Sequence, residues 1–252
     1  MTVRLNARLS QIASYIEHGE SVCDVGTDHG YLPIYLAEND ITDKIIMSDI
    51  SRGSLAKAKA DAAEELDDAG DIDARLGNGF DVLEPEEVDD IVIAGMGGIQ
   101  ILDILSWDIS KTLTYRKFIF QPRRDAATLR RWLQINGFTI TDQVVVPENG
   151  RYSEIICCTQ ENASNVNISF YEHMTLLEAF DNDPEKLAAY EYPEDLRDPS
   201  GKNVDKDYFA SELEKIKVIM GRIKTDSDSS GSVLELFEKR RERLENLCRK
   251  SN

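Results

Sequence analysis

The chain contains 252 residues, of which 41% are hydrophobic and 30% are charged, so it can bury a core and is not a disordered segment. Its formal net charge of −18 argues against nonspecific binding of nucleic acid, because contacts to phosphates dominate that affinity. No apolar run approaches the roughly 20 residues of a membrane helix, and the cysteines and histidines lack the spacing of a disulfide framework or a zinc site. These features predict a soluble, cytoplasmic protein that holds no metal and has no membrane partner.

Charge is unevenly distributed along the chain. Residues 38–90 contain 17 acidic and 5 basic side chains, whereas residues 113–160 contain 7 basic and 4 acidic side chains. A mostly acidic protein with local basic segments can still bind an anionic polymer, although its average charge counts against this.

The first 16 residues, MTVRLNARLSQIASYI, predict an amphipathic helix, and residues 20–160 then alternate short apolar runs with helical periodicity. The predicted strands are SVCDVG, KIIMSDI, IDARLGNGF, DIVIAGMGG and KFIFQP, and the predicted helices are YLPIYLAEN, SLAKAKADAAEEL, IQILDILSW and DAATLRRWLQINGF. This alternation predicts a parallel sheet with helices on both faces. The runs around PENGR predict a hairpin that adds an antiparallel edge. Residues 1–160 are thus expected to form a Rossmann-like class I methyltransferase sheet.

The character of the chain changes after residue 160. ENASNVNIS is a polar linker, and FYEHMTLLEAF and PEKLAAYEY are short helical pieces. Two amphipathic helices follow, YFASELEKIKVIMGRIK and SVLELFEKRRERLENLCRK, with TDSDSSG between them. Residues 161–252 therefore predict a helical C-terminal domain containing an antiparallel, coiled-coil-like hairpin.

The turn after the first predicted strand reads DVGTDHG and contains Asp24, Gly26 and Asp28. A dinucleotide site would carry a second glycine where Asp28 stands, and a carboxylate there would repel a pyrophosphate at the helix N-terminus. The turn could instead accept a ligand with an ammonium and a sulfonium group, which S-adenosylmethionine has. The alternative is that both aspartates only cap the turn or the helix.

Further polar and small residues follow the next predicted strands. Asp49 ends the second strand, where a carboxylate can accept hydrogen bonds from both ribose hydroxyls. Asn78 lies between two glycines after the third strand and could read an adenine edge, although Asn-Gly is also an ordinary turn. The AGMGG segment, with Gly95 and Met96, would let a flat ring approach a methyl donor. Alternatively, its glycines serve a tightly packed helix start.

Three segments in this order, DVGTDHGYLP, IAGMGG and a QP before an Arg-rich helix, resemble the bacterial tRNA (adenine-22-N1)-methyltransferase family, or TrmK. The resemblance covers roughly residues 5–160, and the helical tail fits the family's C-terminal domain. It implies a class I fold, S-adenosyl-L-methionine as cofactor, and methylation of N1 of an adenine in the D-arm region of tRNA. The matching donor-site positions are Asp24, Gly26, Asp49, Asn78, Gly95 and Met96.

The resemblance makes Asp28 the catalytic candidate, with His29 beside it. N1 of adenine has an in-plane lone pair and no proton to lose, so its methylation needs no strong base. A carboxylate could stabilise the positive charge that develops on the ring. His29 could equally make only a local hydrogen bond at the helix start. Two positions depart from the family pattern: Asn78 stands where the family tends to have Asp, and QPRRD replaces a QPN-type sequence.

Reaching N1 in folded RNA requires taking the base out of its stack, and therefore requires contacts that hold the phosphates. Arg123, Arg124, Arg130 and Arg131 are the predicted tRNA-binding residues, on and before one helix. Arg240, Arg241 and Arg243 on the last helix are further candidates. The alternative for both groups is a solvated helix face. The protein is expected to be a monomer or a weak homodimer.

Two other functions remain open. The acidic composition favours a class I methyltransferase that acts on a small molecule or a protein. The third possibility is a catalytically silent relative that binds RNA or a partner through its coiled coil. The presence of Asp24, Asp28 and Asp49 argues against a silent protein.

Overall fold

The computed structural model describes residues 3–42, 44–66, 72–160, 176, 178–201, 206–225 and 231–250. Its strands are β1 (Val22–Val25), β2 (Ile45–Asp49), β3 (Ile72–Leu76), β4 (Asp90–Met96), β5 (Lys117–Pro122), β6 (Thr139–Glu148) and β7 (Arg151–Thr159). They form one sheet in the order β3-β2-β1-β4-β5-β7-β6. Strands β1 to β5 are parallel, and β7 pairs antiparallel with both β5 and β6. The predicted parallel sheet with an antiparallel edge hairpin is confirmed.

The helices are α1 (Ala7–Ala13), α2 (Tyr31–Glu38), α3 (Arg52–Glu65), α4 (Gly98–Trp107), α5 (Ile109–Thr112), α6 (Ala126–Ile135), α7 (Pro184–Glu191), α8 (Lys206–Thr225) and α9 (Gly231–Lys250). Side-chain caps set several of their starts. Asn6 Oδ1 accepts from the Leu9 N–H at 2.8 Å, so α1 is shorter than the 16-residue helix expected from the sequence. Ser51 caps α3 by accepting from the Ser54 N–H at 3.2 Å.

Each face of the sheet packs against its own hydrophobic core. One core joins the sheet to α4 and α6 around the fully buried rings of Phe118, Phe120 and Trp132. The other joins it to α1, α2 and α3. Burial of a phenylalanine side chain of this kind contributes on the order of 2–3 kcal/mol, so the two cores hold the strand ends in fixed positions.

The third predicted strand is shorter than expected. β3 ends at Leu76, and residues 79–82 form a 3₁₀ turn instead of more strand. Gly79 has a φ of 50°, a left-handed conformation that breaks the extended backbone. Asn78 therefore lies in the loop after β3, at the same edge of the sheet as the ends of β1 and β2.

The hairpin of β6 and β7 extends past the carboxyl end of β5. Its turn residues Asn149 and Gly150 both have positive φ, 49° and 73°, as the Asn-Gly signal predicts. The pairing of β5 with β7 ends at Phe120 and Ile156, whereas β6 and β7 remain paired as far as the turn. Residues 151–155 thus project about 16 Å beyond that last pair, at roughly 3.3 Å per residue.

The C-terminal helices pack against this hairpin and against α6. Tyr208, near the start of α8, shares a core with Leu247, near the end of α9, so the two helices are antiparallel as predicted. Val145 of β6 belongs to the same core, and Val144 forms an isolated bridge with Arg197. Most of the predicted ENASNVNIS, FYEHMTLLEAF and TDSDSSG segments lie outside the described residues. The division into domains at residue 160 stays a prediction.

Candidate active site

A cavity of about 810 Å³ lies at the carboxyl ends of β1 to β5. Strand order reverses between β1 and β4 in this sheet, and ligands of open α/β sheets bind at such a point. The cavity contains all eight residues predicted for the donor and for catalysis, together with one predicted tRNA-binding arginine. These are Asp24, Gly26, Asp28, His29, Asp49, Asn78, Gly95, Met96 and Arg123.

Asp24 is the most buried carboxylate of this cavity, with 7% of the residue exposed. Its Oδ2 accepts a hydrogen bond from the Thr27 hydroxyl at 2.7 Å. Burial raises the pKa of Asp24 to about 6, although the Thr27 hydrogen bond and the charge of Arg8 both oppose that rise. A cationic ligand beside Asp24 would offset the cost of burying the charge.

Gly26 and Gly95 bring the backbones of β1 and β4 close to the cavity. Gly26 has a φ of 78°, and a Cβ at this position would lie 2.3 Å from the Cε of Met96. Gly95 has a φ of 81° and is the extra residue of a bulge between β4 and β5. A side chain at either position would strain the backbone, and one at Gly26 would also displace Met96.

Asp28 and Asp49 face each other across the ends of β1 and β2. The Asp28 N–H points at the Asp49 Oδ2 at 3.4 Å, and Asp49 Oδ1 accepts from the Ser51 N–H at 2.7 Å. Asp28 is exposed and has a left-handed φ of 51°, which aspartate tolerates better than most residues. Within the described part of the chain, its carboxylate has no hydrogen-bond donor, so it is available to a ligand.

His29 lines the cavity but is held by α3. Lys57 Nζ lies 2.7 Å from its Nε2, and Asp61 Oδ2 lies 3.2 Å from its Nδ1. Its ring also stacks on Tyr31 at 5.0 Å between centroids. Because an ammonium can only donate, Lys57 leaves the proton on Nδ1, which donates to Asp61. Both ring nitrogens are thus engaged, which favours the local hydrogen-bonding role for His29.

Arg130 was predicted from the sequence to bind tRNA, but it does not lie on the protein surface. The residue is only 2% exposed. Its guanidinium donates to Gln143 Oε1 at 2.5 Å, to the Tyr190 carbonyl at 3.1 Å, and to Glu154. The helical spacing of the arginines could not reveal that this one faces the sheet and links it to the C-terminal helices.

The other predicted arginines differ in their surroundings. The Arg124 side chain is 76% exposed, with Asp125 3.5 Å away, whereas Arg131 lies over the Tyr190 ring and contacts Asp181 at 3.2 Å. On α9, the three predicted arginines have acidic partners: Arg240 with Glu191, Arg241 with Glu245, and Arg243 with Glu194. Much of this positive charge is already neutralised within the protein.

A family profile described as a methyltransferase domain matches residues 5–156, more than half of the chain. The chain belongs to this methyltransferase family. The match runs from the start of α1 through most of β7 and includes every residue predicted for the donor site. Together with the strand order, it confirms the predicted class I methyltransferase fold.

Individual relatives agree with this assignment. The tRNA (adenine(22)-N(1))-methyltransferase of Bacillus subtilis is 34% identical over 154 residues, which cover 61% of this chain and 64% of that protein. The chain therefore spans less than two thirds of the length of that relative. A crystal structure of a Streptococcus agalactiae protein of the NADB-Rossmann superfamily matches with a TM-score of 0.74 and 26% identity, over 98% of this chain and 99% of that one. The B. subtilis m1A22 tRNA methyltransferase TrmK matches with a TM-score of 0.71 and 26% identity, over 98% and 99% of the two chains.

Arg8 of α1 also lines this 810 Å³ cavity, and the sequence pattern did not predict it. Its Nη1 donates to Gln121 Oε1 at 3.2 Å, and its Nε lies 3.8 Å from Glu148 Oε2. A signal was present, because Arg8 stands one helical turn before the apolar Ile12 and beside Leu9. An arginine so close to the buried face of an amphipathic helix has to extend toward a polar site.

Among the described residues there is no group of three or more His, Cys, Asp or Glu side chains arranged to hold a metal ion. Within that same part of the chain, no helix has the length and apolar composition needed to span a membrane.

Proposed function

We propose that this methyltransferase transfers a methyl group from S-adenosyl-L-methionine to N1 of adenine 22 in tRNA. The observation that carries the proposal is the likeness to the B. subtilis enzyme, which in structure extends over 98% of the chain. The cavity also supports it, because the residues that the family resemblance assigned to the donor lie together in it.

The charges of the cavity suit this donor. Its ammonium and sulfonium groups are cations. Asp24 is a buried carboxylate whose only hydrogen-bond partner among the described residues is the neutral Thr27 hydroxyl. We assign Asp24 to the amino-acid end of the donor and Asp49 to the ribose hydroxyls. Asn78, in the loop after β3, would lie at the adenine edge, and Gly26 and Gly95 leave space for close approach of the donor.

S-adenosyl-L-methionine supplies an electrophilic methyl group on its sulfonium. The protein's own task is then to orient adenine N1 and to stabilise the positive charge that appears on the ring. We assign that stabilisation to the Asp28 carboxylate, which could also accept a hydrogen bond from the 6-amino group. Since N1 loses no proton, the reaction does not need His29 as a base.

Of the predicted arginines, Arg123 and Arg124 are the best supported for contacts to tRNA phosphates. Arg123 lines the cavity, and Arg124 is exposed next to it. A tRNA substrate also implies a cytoplasmic location. The oligomeric state, monomer or weak homodimer, stays a prediction.

The decisive experiment measures transfer of labelled methyl from S-adenosyl-L-methionine to unmodified tRNA transcripts, including one in which adenine 22 is guanine. Incorporation that disappears with this change is the expected result. Donor binding by calorimetry is measured in parallel.

A different acceptor, a small molecule or a protein, is the second candidate, because a net charge of −18 disfavours association with RNA. Donor binding without incorporation into any tRNA would favour that candidate. Absence of donor binding as well would point to the catalytically silent alternative.

A further inference from the structure

A second cavity of about 720 Å³ adjoins the first. It lies between the end of β5, α1 and the projecting part of the β6–β7 hairpin, and it shares Arg8 and Arg123 with the first cavity. Its volume is large enough for a group the size of a nucleotide, since pockets for small ligands span about 300–1,000 Å³. Of the predicted site residues, only Arg123 lines it, and Arg151 and the hairpin wall were not predicted to bind anything.

The charge of this second cavity is opposite to that of the whole protein. Its charged lining consists of Arg8, Arg123 and Arg151 and a single carboxylate, Glu148. The protein as a whole carries 47 acidic against 29 basic side chains. A cavity with three guanidinium groups and one carboxylate is therefore a local exception that favours an anion.

Two of the three arginines have no acidic partner among the residues that the structure describes. In the described parts of the chain, neither Arg123 nor Arg151 has a carboxylate oxygen within 4.0 Å, whereas Arg8 lies 3.8 Å from Glu148. Arg116, Arg130 and most arginines of the C-terminal helices, by contrast, form ion pairs. In so acidic a protein, arginines left without a carboxylate are available to an external anion.

Arg8 and Arg123 also repel each other. Burial lowers the pKa of the Arg8 guanidinium, and the charge of Arg123 lowers it further, against the attraction of Glu148 and Asp24. An anion bound between the arginines would relieve this repulsion and strengthen its own hydrogen bonds. Phosphate suits guanidinium groups because it can accept two parallel hydrogen bonds from one of them.

The β6–β7 hairpin positions Arg151 in the second cavity. Arg151 is the first residue of β7, directly after the Asn149–Gly150 turn, and it belongs to the part of the hairpin that projects beyond β5. The projection forms one wall of the cavity opposite α1. Its position depends on backbone pairing within the hairpin, so the arginine sits on a regular element.

We propose that this second cavity binds the phosphodiester backbone of the tRNA nucleotides next to the target adenine, with Arg123 and Arg151 as the phosphate ligands. The inference rests on the proposed function and deepens it by naming the surface that receives the RNA. The adjoining first cavity then receives the target base itself. Arg8 forms the shared wall and assists both.

The test compares tRNA affinity, measured by fluorescence anisotropy at several salt concentrations, for the wild type, Arg151→Ala and Arg116→Ala. Arg116 is a matched control, because its side chain is 65% exposed and pairs with Glu20 at the opposite end of β5. We expect Arg151→Ala to weaken tRNA binding about tenfold at low salt and to reduce the slope of log affinity against log salt by about 1. Arg116→Ala should leave both within about twofold of the wild-type values.

A second variant tests the sign of the charge. Glu148→Gln removes the only carboxylate that the described residues contribute to the cavity, so it should tighten tRNA binding about two- to fivefold at low salt. The affinity for S-adenosylhomocysteine, measured by calorimetry, should stay unchanged in Arg151→Ala, because Arg151 does not line the first cavity.

The outcomes separate the two proposals. If the wild type methylates tRNA while Arg151→Ala keeps its affinity and salt slope, the inference about the second cavity is wrong and the function stands. If Glu148→Gln weakens binding, the proposed sign of the interaction is wrong. A wild type that neither binds nor methylates tRNA would overturn both proposals.

Discussion

Charged residues cluster at both ends of the parallel strands, but among the described residues the aspartates at the carboxyl end lack the oppositely charged partners that the charges at the amino end have. At the amino end, Lys117 contacts Glu20 and lies 3.1 Å from Asp90, and Arg116 pairs with Glu20 at 2.7 Å. At the carboxyl end, the described residues provide no lysine or arginine within 4.0 Å of Asp24, Asp28 or Asp49. These three carboxylates have only neutral hydrogen-bond donors or none.

This difference distinguishes charged residues that stabilise the fold from charged residues that are available to bind a ligand. A buried carboxylate without a cation is costly, and a protein retains such a group where a ligand supplies the missing partner. The amino-end charges have their partners within the chain and should affect stability. The carboxyl-end charges should affect binding and turnover.

Asp28→Asn should have the largest effect, a decrease in kcat of about 10²- to 10³-fold, because it removes the charge that we propose stabilises the methylated ring. Asparagine tolerates the left-handed φ of this position, so the backbone should not change. The measurement is steady-state methyl transfer to tRNA, with the donor Kd determined separately. Asp40→Asn is a matched control, since Asp40 has a φ of 52° at the end of α2, away from the cavity. Equal effects of the two substitutions would argue against a catalytic role for Asp28.

Asp24→Asn should weaken donor binding about 10- to 100-fold, because a hydrogen bond between charged groups contributes roughly 1.5–3 kcal/mol. Calorimetric titration with S-adenosylhomocysteine measures this effect. The raised pKa of about 6 also predicts that wild-type affinity falls as the pH drops below 6, because protonated Asp24 cannot pair with an ammonium group.

Asp89→Asn provides the contrast from the amino end. Asp89 accepts hydrogen bonds from the Ser21 N–H at 3.0 Å and the Ser21 hydroxyl at 2.7 Å, which hold its pKa below the usual range. Its substitution should lower the free energy of unfolding and leave the donor Kd unchanged. If Asp89→Asn weakened donor binding as much as Asp24→Asn, the separation between the two ends would not hold.

Asp90 gives a smaller effect that depends on pH. Burial raises the pKa of Asp90 to about 7, against the attraction of Lys117. The folded protein therefore holds this proton more tightly than the unfolded chain, whose pKa is near 3.8. The resulting stability is full below pH 3.8 and is lost as the pH rises through 7. Relative to Asp90→Asn, the wild-type free energy of unfolding should fall by on the order of 3 kcal/mol between pH 4.5 and 7.5.

Urea unfolding of the wild type and Asp90→Asn across that pH range measures this difference. The subtraction isolates Asp90, because the other carboxylates titrate in both proteins. A difference that stays constant with pH would mean that Lys117 keeps Asp90 ionised throughout, with its pKa close to the ordinary value.

The sequence predicted the sheet, and it brought the polar residues at the strand ends to one cavity, for identifiable reasons. Glycines and aspartates at strand ends are local signals, and parallel strands bring their carboxyl ends together, so Asp24, Asp49 and Asn78 could be placed at one edge. The arginines were harder. Whether Arg130 is buried depends on how α6 is oriented on the sheet, and whether Arg8 reaches the cavity depends on how α1 packs against β6. Such packing contacts join distant parts of the chain and leave little trace in local spacing.

Substitution of His29 should have the smallest effect on activity. It tests whether this residue stabilises the fold or takes part in the reaction. Because both of its ring nitrogens are held by Lys57 and Asp61, His29→Gln should change kcat less than about fivefold while lowering stability by about 1 kcal/mol, the value of a typical hydrogen bond. Asp61→Asn should reproduce that loss of stability, since it weakens the same link between the first turn and α3. A general base would behave differently. Its loss would lower kcat by 10²-fold or more and remove an ionisation from the pH–rate profile, and Asp61→Asn would not imitate it through stability alone. His29→Gln and Asp61→Asn together therefore decide whether this histidine stabilises the fold or acts in the reaction.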